Sequence, residues 1–228
     1  LTVNGSLSVN AQPMTPASHA ESAGSGGSIW VTASSLGGTG TISADGTGHT
    51  HGYPGGGGGG RISLVLTNSF TVAGPSLRTC GGALNPRIGA AGTIYIETAD
   101  QKAGCGTVRI DNSNQSAAAS TTTDIPPSTN AVLDELECAT VVVTNRAVMR
   151  VTAGTTVQTL VRAGANEVLD LGMAGTVLTL NDMTINGISY TKPGSYATNR
   201  WNGYAIPANV TGAGSIQIAQ NGTVFVIR

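Results

Sequence analysis

Charge is scarce in this sequence: 12 Asp and Glu set against 11 Lys and Arg over 228 residues, with a formal net charge of -1. Two lysines and nine arginines, spread along the chain, cannot build the basic stripe that neutralises nucleic-acid phosphates. No block of like charge forms an acidic or basic tail. No apolar run approaches the ~20 residues of a membrane-spanning helix. Cysteine is limited to Cys80, Cys105 and Cys138, an odd number without the C-x₂-C spacing of a zinc site. Two readings of them stand open: a Cys80–Cys105 bridge between Gly-rich turns, or small buried thiols. Helix signals are nearly missing, and the only alanine run, Ala117 to Ala119, sits in the small and polar "NSNQSAAASTTT", a loop. The chain begins at Leu1 with no charged segment leading into an apolar one, as expected of a processed or excised piece.

What the chain has instead is Thr, Ser, Asn and 33 glycines, interleaved with Val, Ile and Leu at strand spacing. Segments such as "GSIWVTA", "RISLVL", "GTIYIET", "GTVRI", "TVVVTN" and "SIQIA" alternate apolar and polar residues, as a strand with one buried face must. Three of them share an opener. "GGSI" at Gly26, "GGRI" at Gly59 and "AGTI" at Ala91 recur at spacings of 33 and 32. Each leads into an alternating apolar pair: Ile29 and Val31, Ile62 and Leu64, Ile94 and Ile96. Secondary strands are expected around Ile42, Phe70–Val72 and Val108–Ile110. Beyond residue 138 the beat shortens to about eighteen, with "TVVV", "TLV" and "VLTL" as equivalents and "VMRV", "VLDL" and "TING" between them.

A unit of this size has one apolar face that it cannot bury alone, so stacked units must share a core. Strands without helices then predict an all-β fold, a right-handed parallel β-helix, with glycine at corners where a Cβ would obstruct. A β-sandwich or jelly roll is the alternative, though it does not require the recurring opener. The expected organisation is an N-terminal strand and loop over 1–23, then one continuous stack over 24–228. Gly-rich coils with long loops would occupy 24–120, a proline loop 121–130, and short-turn coils with a C-terminal cap 131–228. The first segment, "LTVNGSLSVN", alternates cleanly and is expected to pair with a neighbouring subunit.

The quoted stretches also carry a resemblance. "GGSIWVTASSLGGTGTISADG", "GGGGGGRISLVL" and "GAAGTIYIET" resemble the glycine-rich β-helical segments of large bacterial surface proteins. "VLTLNDMTINGISYTKPGSYATN", followed by "VTGAGSIQI", resembles the closing turns of autotransporter passenger β-helices. Together they span Gly24 to Asp111 and Thr176 to Ile218. The resemblance implies an extracellular or cell-surface β-helix, a class that includes adhesins, filament subunits and sugar-cleaving enzymes. No C-terminal membrane barrel follows, which points to a secreted subunit or a fragment.

Candidate sites are few. Six glycines at 55–60 satisfy a dinucleotide fingerprint trivially, but a strand rather than a helix follows, so no phosphate cradle is expected. His49 and His51 on one strand face would stand ~7 Å apart, too far to share an ion, whereas on a loop they could chelate with Asp45, His19 or Tyr53. Solvated loop histidines are the plainer reading. A lyase would need a base facing a cleft beside a Ca²⁺ or other neutralising group, for which Arg61, Arg87 and Arg109 could line up near the histidines. A hydrolase would need two carboxylates, and Asp45, Asp100, Asp111 and Asp124 fall in no motif. Asp134, Glu135 and Glu137 flank Leu133 and Leu136 as a solvated face. Tyr190, Tyr196, Trp201 and Tyr204 crowd one segment, either as a ligand or interface surface or as a cap over the last coil. The function expected is therefore non-enzymatic, structural or adhesive, with self-association through the ends, contact with polysaccharide or cell surface, and no cofactor. A polysaccharide lyase or hydrolase and a carbohydrate-binding module are the alternatives.

Overall fold

The computed structural model describes residues 1–13, 23–48, 55–68, 74–83, 88–115, 121–127 and 135–219. The chain is all-β, and the strands of the described residues gather into four sheets with extensive parallel pairing. The longest sheet has eight strands in spatial order Ser28–Ala33, Arg61–Leu66, Thr93–Glu97, Thr107–Asp111, Thr140–Thr144, Thr159–Arg162, Asp182–Ile185 and Ile188–Tyr190. Among the described residues the one helical element is a short 3₁₀ turn at Glu135–Cys138.

The repeated openers fall in register. Ile29 lies beside Ile62 and Ile62 beside Ile94, with Val31, Leu64 and Ile96 forming the next row. Behind them a parallel three-stranded sheet holds Ser6–Ser8, Thr41–Ser43 and Ser76–Arg78, placing Leu7, Ile42 and Leu77 in one row. The two sheets enclose a core that includes Leu36, Ile42, Ile62, Leu64, Leu77 and Ile94. Burying each such side chain stabilises the fold by roughly 1.5–3 kcal/mol. The N-terminal segment is thus the first row of its own molecule, because Leu7 pairs with Ile42 within the chain.

After Glu97 the chain reverses. Thr93–Glu97 and Thr107–Asp111 pair antiparallel, Tyr95 opposite Val108 and Ile94 opposite Arg109. Residues directly opposed across a pair project to the same side of a sheet. Val108 therefore shares the face of Tyr95, while Ile94 faces the other way, into the first core. Val108, Ile110, Val141, Val143 and Leu160 belong to a second core, against which Tyr95 also packs. One continuous sheet carries the N-terminal core on one face and the C-terminal core on the other.

The second core is enclosed by three sheets. Parallel pairing continues through Thr107–Asp111, Thr140–Thr144, Thr159–Arg162 and Asp182–Ile185. A four-stranded parallel sheet adds Thr123–Ile125, Val148–Val151, Val168–Asp170 and Val210–Thr211. The third sheet sets Thr155–Thr156, Val177–Leu180 and Ser215–Ile218 in parallel, then turns antiparallel through Gly194–Ala197 and Arg200–Trp201.

Several expectations are corrected here. "TVVV" and "TLV" are neighbours as read, but their next partner is Asp182–Ile185, which includes the start of "TING"; "VLTL" pairs elsewhere, with Thr155–Thr156 and Ser215–Ile218. With three strands per short turn, a beat of eighteen confuses members of different sheets. Val108–Ile110 is no secondary strand but the return arm of a hairpin on the main sheet. The "DIPP" segment begins inside a strand, with Ile125 paired to Val151 and buried. Phe70–Val72 lies outside the described residues, and the strand nearby is Ser76–Arg78.

Candidate functional site

The glycine-rich stretches build a layer of bare backbone beside the N-terminal core. Gly26 N–H donates to Gly58, Gly59 N–H to Ala90, Gly60 N–H to Ala44 and Gly92 N–H to Thr79, all carbonyl acceptors. Successive segments thereby bond to one another both along and across the layer, so backbone meets backbone with no side chain between. A Cβ on Gly57 would stand 1.9 Å from the Gly24 oxygen, on Gly59 1.9 Å from Thr79 oxygen, and on Gly60 1.9 Å from Gly27 oxygen. Only glycine permits that approach. By contrast a Cβ on Gly55 meets nothing within 4 Å, and one on Gly58 nothing nearer than 3.9 Å. Within the six-glycine run Gly57, Gly59 and Gly60 pack backbone against backbone, Gly55 and Gly58 have room for a Cβ, and Arg61 opens a strand directly after it.

Asp45, read as a weak metal ligand, is buried and committed at the edge of this layer. Its Oδ1 accepts the Cys80 N–H at 2.9 Å and the Cys80 thiol at 3.1 Å, while Oδ2 pairs with Arg78 Nη2 at 3.0 Å. Asp45 N–H donates in turn to Asn10 Oδ1 at 2.7 Å. Burial pushes the Cys80 thiol pKa above its usual value, so the sulfur stays protonated and donates. Asp45 thus ties the first three rows together. The other residues of the proposed chelate, His19, His49, His51 and Tyr53, lie outside the described residues, as do Arg87 and Asp134.

Of the two open readings, the Cys80–Cys105 bridge gives way to Cys105–Cys138, with Cα atoms 4.8 Å apart, while Cys80 is a free, buried thiol. The reversal explains the change. It carries Cys105 to the start of Thr107–Asp111, whose row neighbour Thr140–Thr144 follows Cys138 directly. The same turn is fixed by Tyr95, whose hydroxyl donates to Glu97 Oε2 at 2.6 Å and accepts the Gly106 N–H at 3.0 Å. Glu97 also accepts the Gly104 N–H at 2.8 Å.

Among the described residues the candidate catalytic groups do not converge. Arg61 and Arg109 stand on opposite faces of the long sheet, since Arg61 shares the row of Thr93 on the Tyr95 face and Arg109 opposes Ile94. Arg61 reaches Ser28 Oγ at 3.4 Å, and Arg109 donates to the Leu77 carbonyl at 3.0 Å, closing the end of the N-terminal core. Asp111 accepts two bonds from Asn145 Nδ2 one row on. Asp124 takes the Arg150 guanidinium at 2.9 and 2.7 Å, and those bonds hold its carboxyl below the ordinary value. Asp100 is bonded by the Thr98 hydroxyl within the reversal loop. Glu137 is exposed and Leu136 packs on the second core.

The aromatic segment is a cap. Tyr190, Tyr196 and Trp201 are almost wholly buried in the second core and only Tyr204 is substantially exposed. Rings meet edge to face, Tyr190 with Trp201 at 5.9 Å and Tyr196 with Trp201 at 5.4 Å. The Tyr196 hydroxyl donates to the Lys192 carbonyl at 2.7 Å. As a ligand or interface surface, Tyr190, Tyr196 and Trp201 are therefore set aside. The antiparallel strands Ile188–Tyr190 and Gly194–Ala197 fold these rings over the core, where among the described residues no further row supplies partners.

Two features escaped the sequence. Arg162 is fully buried beneath the cap, its Nη1 donating to the Glu167 and Ala208 carbonyls. In "TLVR" it occupies an inward position that apolar alternation would give to a hydrophobe. The other feature is the N-terminal end, where the core is open. Ile42 is fully covered, yet its row neighbour Leu7 is 39% exposed, and Trp30 stands 80% exposed at an outward position of the edge strand Ser28–Ala33. The signal was present in "SIWVTA", where a tryptophan occupies a slot that alternation assigns to a polar residue.

No protein-family model, no curated protein and no solved structure matches the chain.

Proposed function

We propose that this chain is a parallel β-helical protein made of two stacks on opposite faces of a shared sheet, serving a non-enzymatic structural or adhesive role outside the cell. One observation supports the reading: among the described residues, Asp45, Asp111, Asp124 and Arg109 spend their polar groups on bonds between the rows. Asp45 binds Arg78 and Cys80, Asp111 binds Asn145, Asp124 binds Arg150, and Arg109 seals the end of a core. A general acid or base needs a free face toward a substrate, and these groups are turned along the stack or into it. The Cys105–Cys138 disulfide supports an oxidising location. Self-association at an uncapped end suits such a role, because unpaired edges template further strands.

The test is incubation with a panel of acidic and neutral polysaccharides, followed by unsaturated-sugar absorbance and reducing ends. The expected result is no turnover. Turnover abolished by a single Asp or Arg substitution that leaves the circular dichroism unchanged would replace this reading with a lyase or hydrolase.

A further inference from the structure

We propose that the outward face of the long sheet around Trp30 binds acidic polysaccharide, the indole stacking on a sugar ring and Arg61 pairing with its carboxylate. The proposal rests on the adhesive reading above and names the ligand class and the residues that hold it.

Strand register builds the face. Trp30 lies beside Ser63 and Ser63 beside Tyr95; Ser28, Arg61 and Thr93 form the row before them, and Thr32, Val65 and Glu97 the row after. Alternation points these nine side chains away from the N-terminal core, whose members include Ile29, Ile62, Leu64 and Ile94. Neighbouring strands run ~4.8 Å apart and alternate residues lie ~6.6 Å apart, so the Cα atoms of Trp30 and Arg61 stand on a diagonal of about 8 Å. That spacing suits one sugar ring and the carboxylate it carries.

Both side chains are available. Trp30 is 80% exposed. Arg61 is exposed as well, and its side-chain hydrogen bond among the described residues, Nη2 to Ser28 Oγ, is long at 3.4 Å. A carboxylate would replace it with charge-assisted, bidentate bonds. Glu97, the one carboxylate among the nine, stands two strands from Trp30 and already accepts the Tyr95 hydroxyl and the Gly104 N–H. The uncommitted charge on this face is therefore positive.

The surroundings favour a sugar over a protein partner. A protein hot spot sits among apolar neighbours that exclude water, whereas Trp30 is flanked by Ser28, Thr32, Ser63 and Arg61 and is the one large exposed hydrophobe of the nine. A pyranose matches that mixture, since its C–H face packs on an indole while its rim bonds to hydroxyl and guanidinium groups. The strand fixes the ring in place before binding, so little ordering entropy is lost. The carbohydrate-binding alternative thereby passes from Trp201, which is buried, to Trp30.

Intrinsic fluorescence tests this, because the chain has two tryptophans and Trp201 is shielded by the core. Polygalacturonate is expected to protect Trp30 from acrylamide quenching, and dextran to leave it open. In affinity electrophoresis Trp30→Ala should weaken polygalacturonate binding by about tenfold or more, with unchanged circular dichroism because the ring projects into solvent. Arg61→Gln should weaken polygalacturonate by about tenfold and leave binding of its methyl ester unchanged. No protection by polygalacturonate, binding that survives Trp30→Ala, or equal loss of both polymers in Arg61→Gln overturns the proposal. A Trp30-dependent dimer in sedimentation that binds no polymer overturns it too. Cleavage of the polymer, with binding still lost in Trp30→Ala, would defeat the non-enzymatic reading and leave the site standing, whereas an inert chain that binds nothing would do the reverse.

Discussion

Glycines 24–92 and glycines 172–212 both mark the ends of strands, yet they do different work. In the first region the backbone angles are mostly ordinary, and what glycine supplies is the missing Cβ, since carbonyl oxygens stand about where that atom would be. In the second, Gly172, Gly175, Gly187, Gly203 and Gly212 have φ between +71° and +89°, and Asn145, Asn186, Asn202 and Asn209 adopt the same left-handed region. There Gly175, Gly187 and Gly203 serve turns, which asparagine can also make, whereas Gly172 also needs its missing Cβ, which would stand 2.2 Å from the Val151 oxygen. A Cβ on Gly175 or Gly187 meets nothing within 4 Å. The ends differ too: the first region leaves Leu7 and Trp30 in solvent, whereas the second closes its core with Tyr190, Tyr196 and Trp201. One region is held by backbone approach, and the other by side chains that close over its core.

Substitutions can break this contrast, starting with the largest effect. Gly59→Ala or Gly60→Ala is expected to unfold the N-terminal region, at a cost above ~4 kcal/mol, because the neighbouring atoms are backbone and cannot yield. Gly58→Ala should leave the melting temperature near wild type, and equal damage from all three would refute the layered packing. Trp201→Ala removes the cap and is expected to cost ~3–5 kcal/mol, read as a lowered midpoint in denaturant for the C-terminal region. Reducing Cys105–Cys138, which closes a separation of 33 residues, should cost about 3–4 kcal/mol. Its effect should concentrate at the reversal, with earlier exchange of amides in Thr107–Asp111.

Gly175→Ala should cost only ~1–2 kcal/mol, the ordinary left-handed penalty, and Gly175→Asn should recover part of it. At the small end, Asp124→Asn on the solvent side should scarcely change stability at neutral pH, since exposed ion pairs contribute little. The Asp124 carboxyl is held down by Arg150, so its small contribution is present above the unfolded carboxyl range and fades as pH falls through the lower folded value. A stability profile in acid comparing wild type with Asp124→Asn reads that difference directly.

Much of the N-terminal architecture was legible in the sequence. The "GGSI", "GGRI" and "AGTI" openers placed Ile29, Ile62 and Ile94 in one row because each sits at the same step after a glycine that must pass close to the next segment. The reversal at Glu97–Thr107 was not legible. "GTVRI" alternates like any strand, and alternation fixes which residues share a face without fixing strand direction or which body lies behind that face. The disulfide was missed for the same reason, as only the reversed strand brings Cys105 beside Cys138. The aromatic cap was readable as composition, but whether Trp201 points inward depends on the antiparallel return of Arg200–Trp201, which the residue types do not encode. Trp30 was visible as an anomaly of alternation, and its meaning required the knowledge that its strand is an edge.

Amide hydrogen exchange across residues 55–60 tests the account most directly, because it asks whether the glycine run is interior or a loop. Gly57, Gly59 and Gly60 donate to the carbonyls of Thr47, Ala90 and Ala44 at 3.0, 2.9 and 2.7 Å. They are expected to exchange as slowly as Ile62 and Leu64 in the adjoining strand. Exchange of all three at the rate of an unstructured chain, while Ile62 and Leu64 stay protected, would contradict the backbone layer.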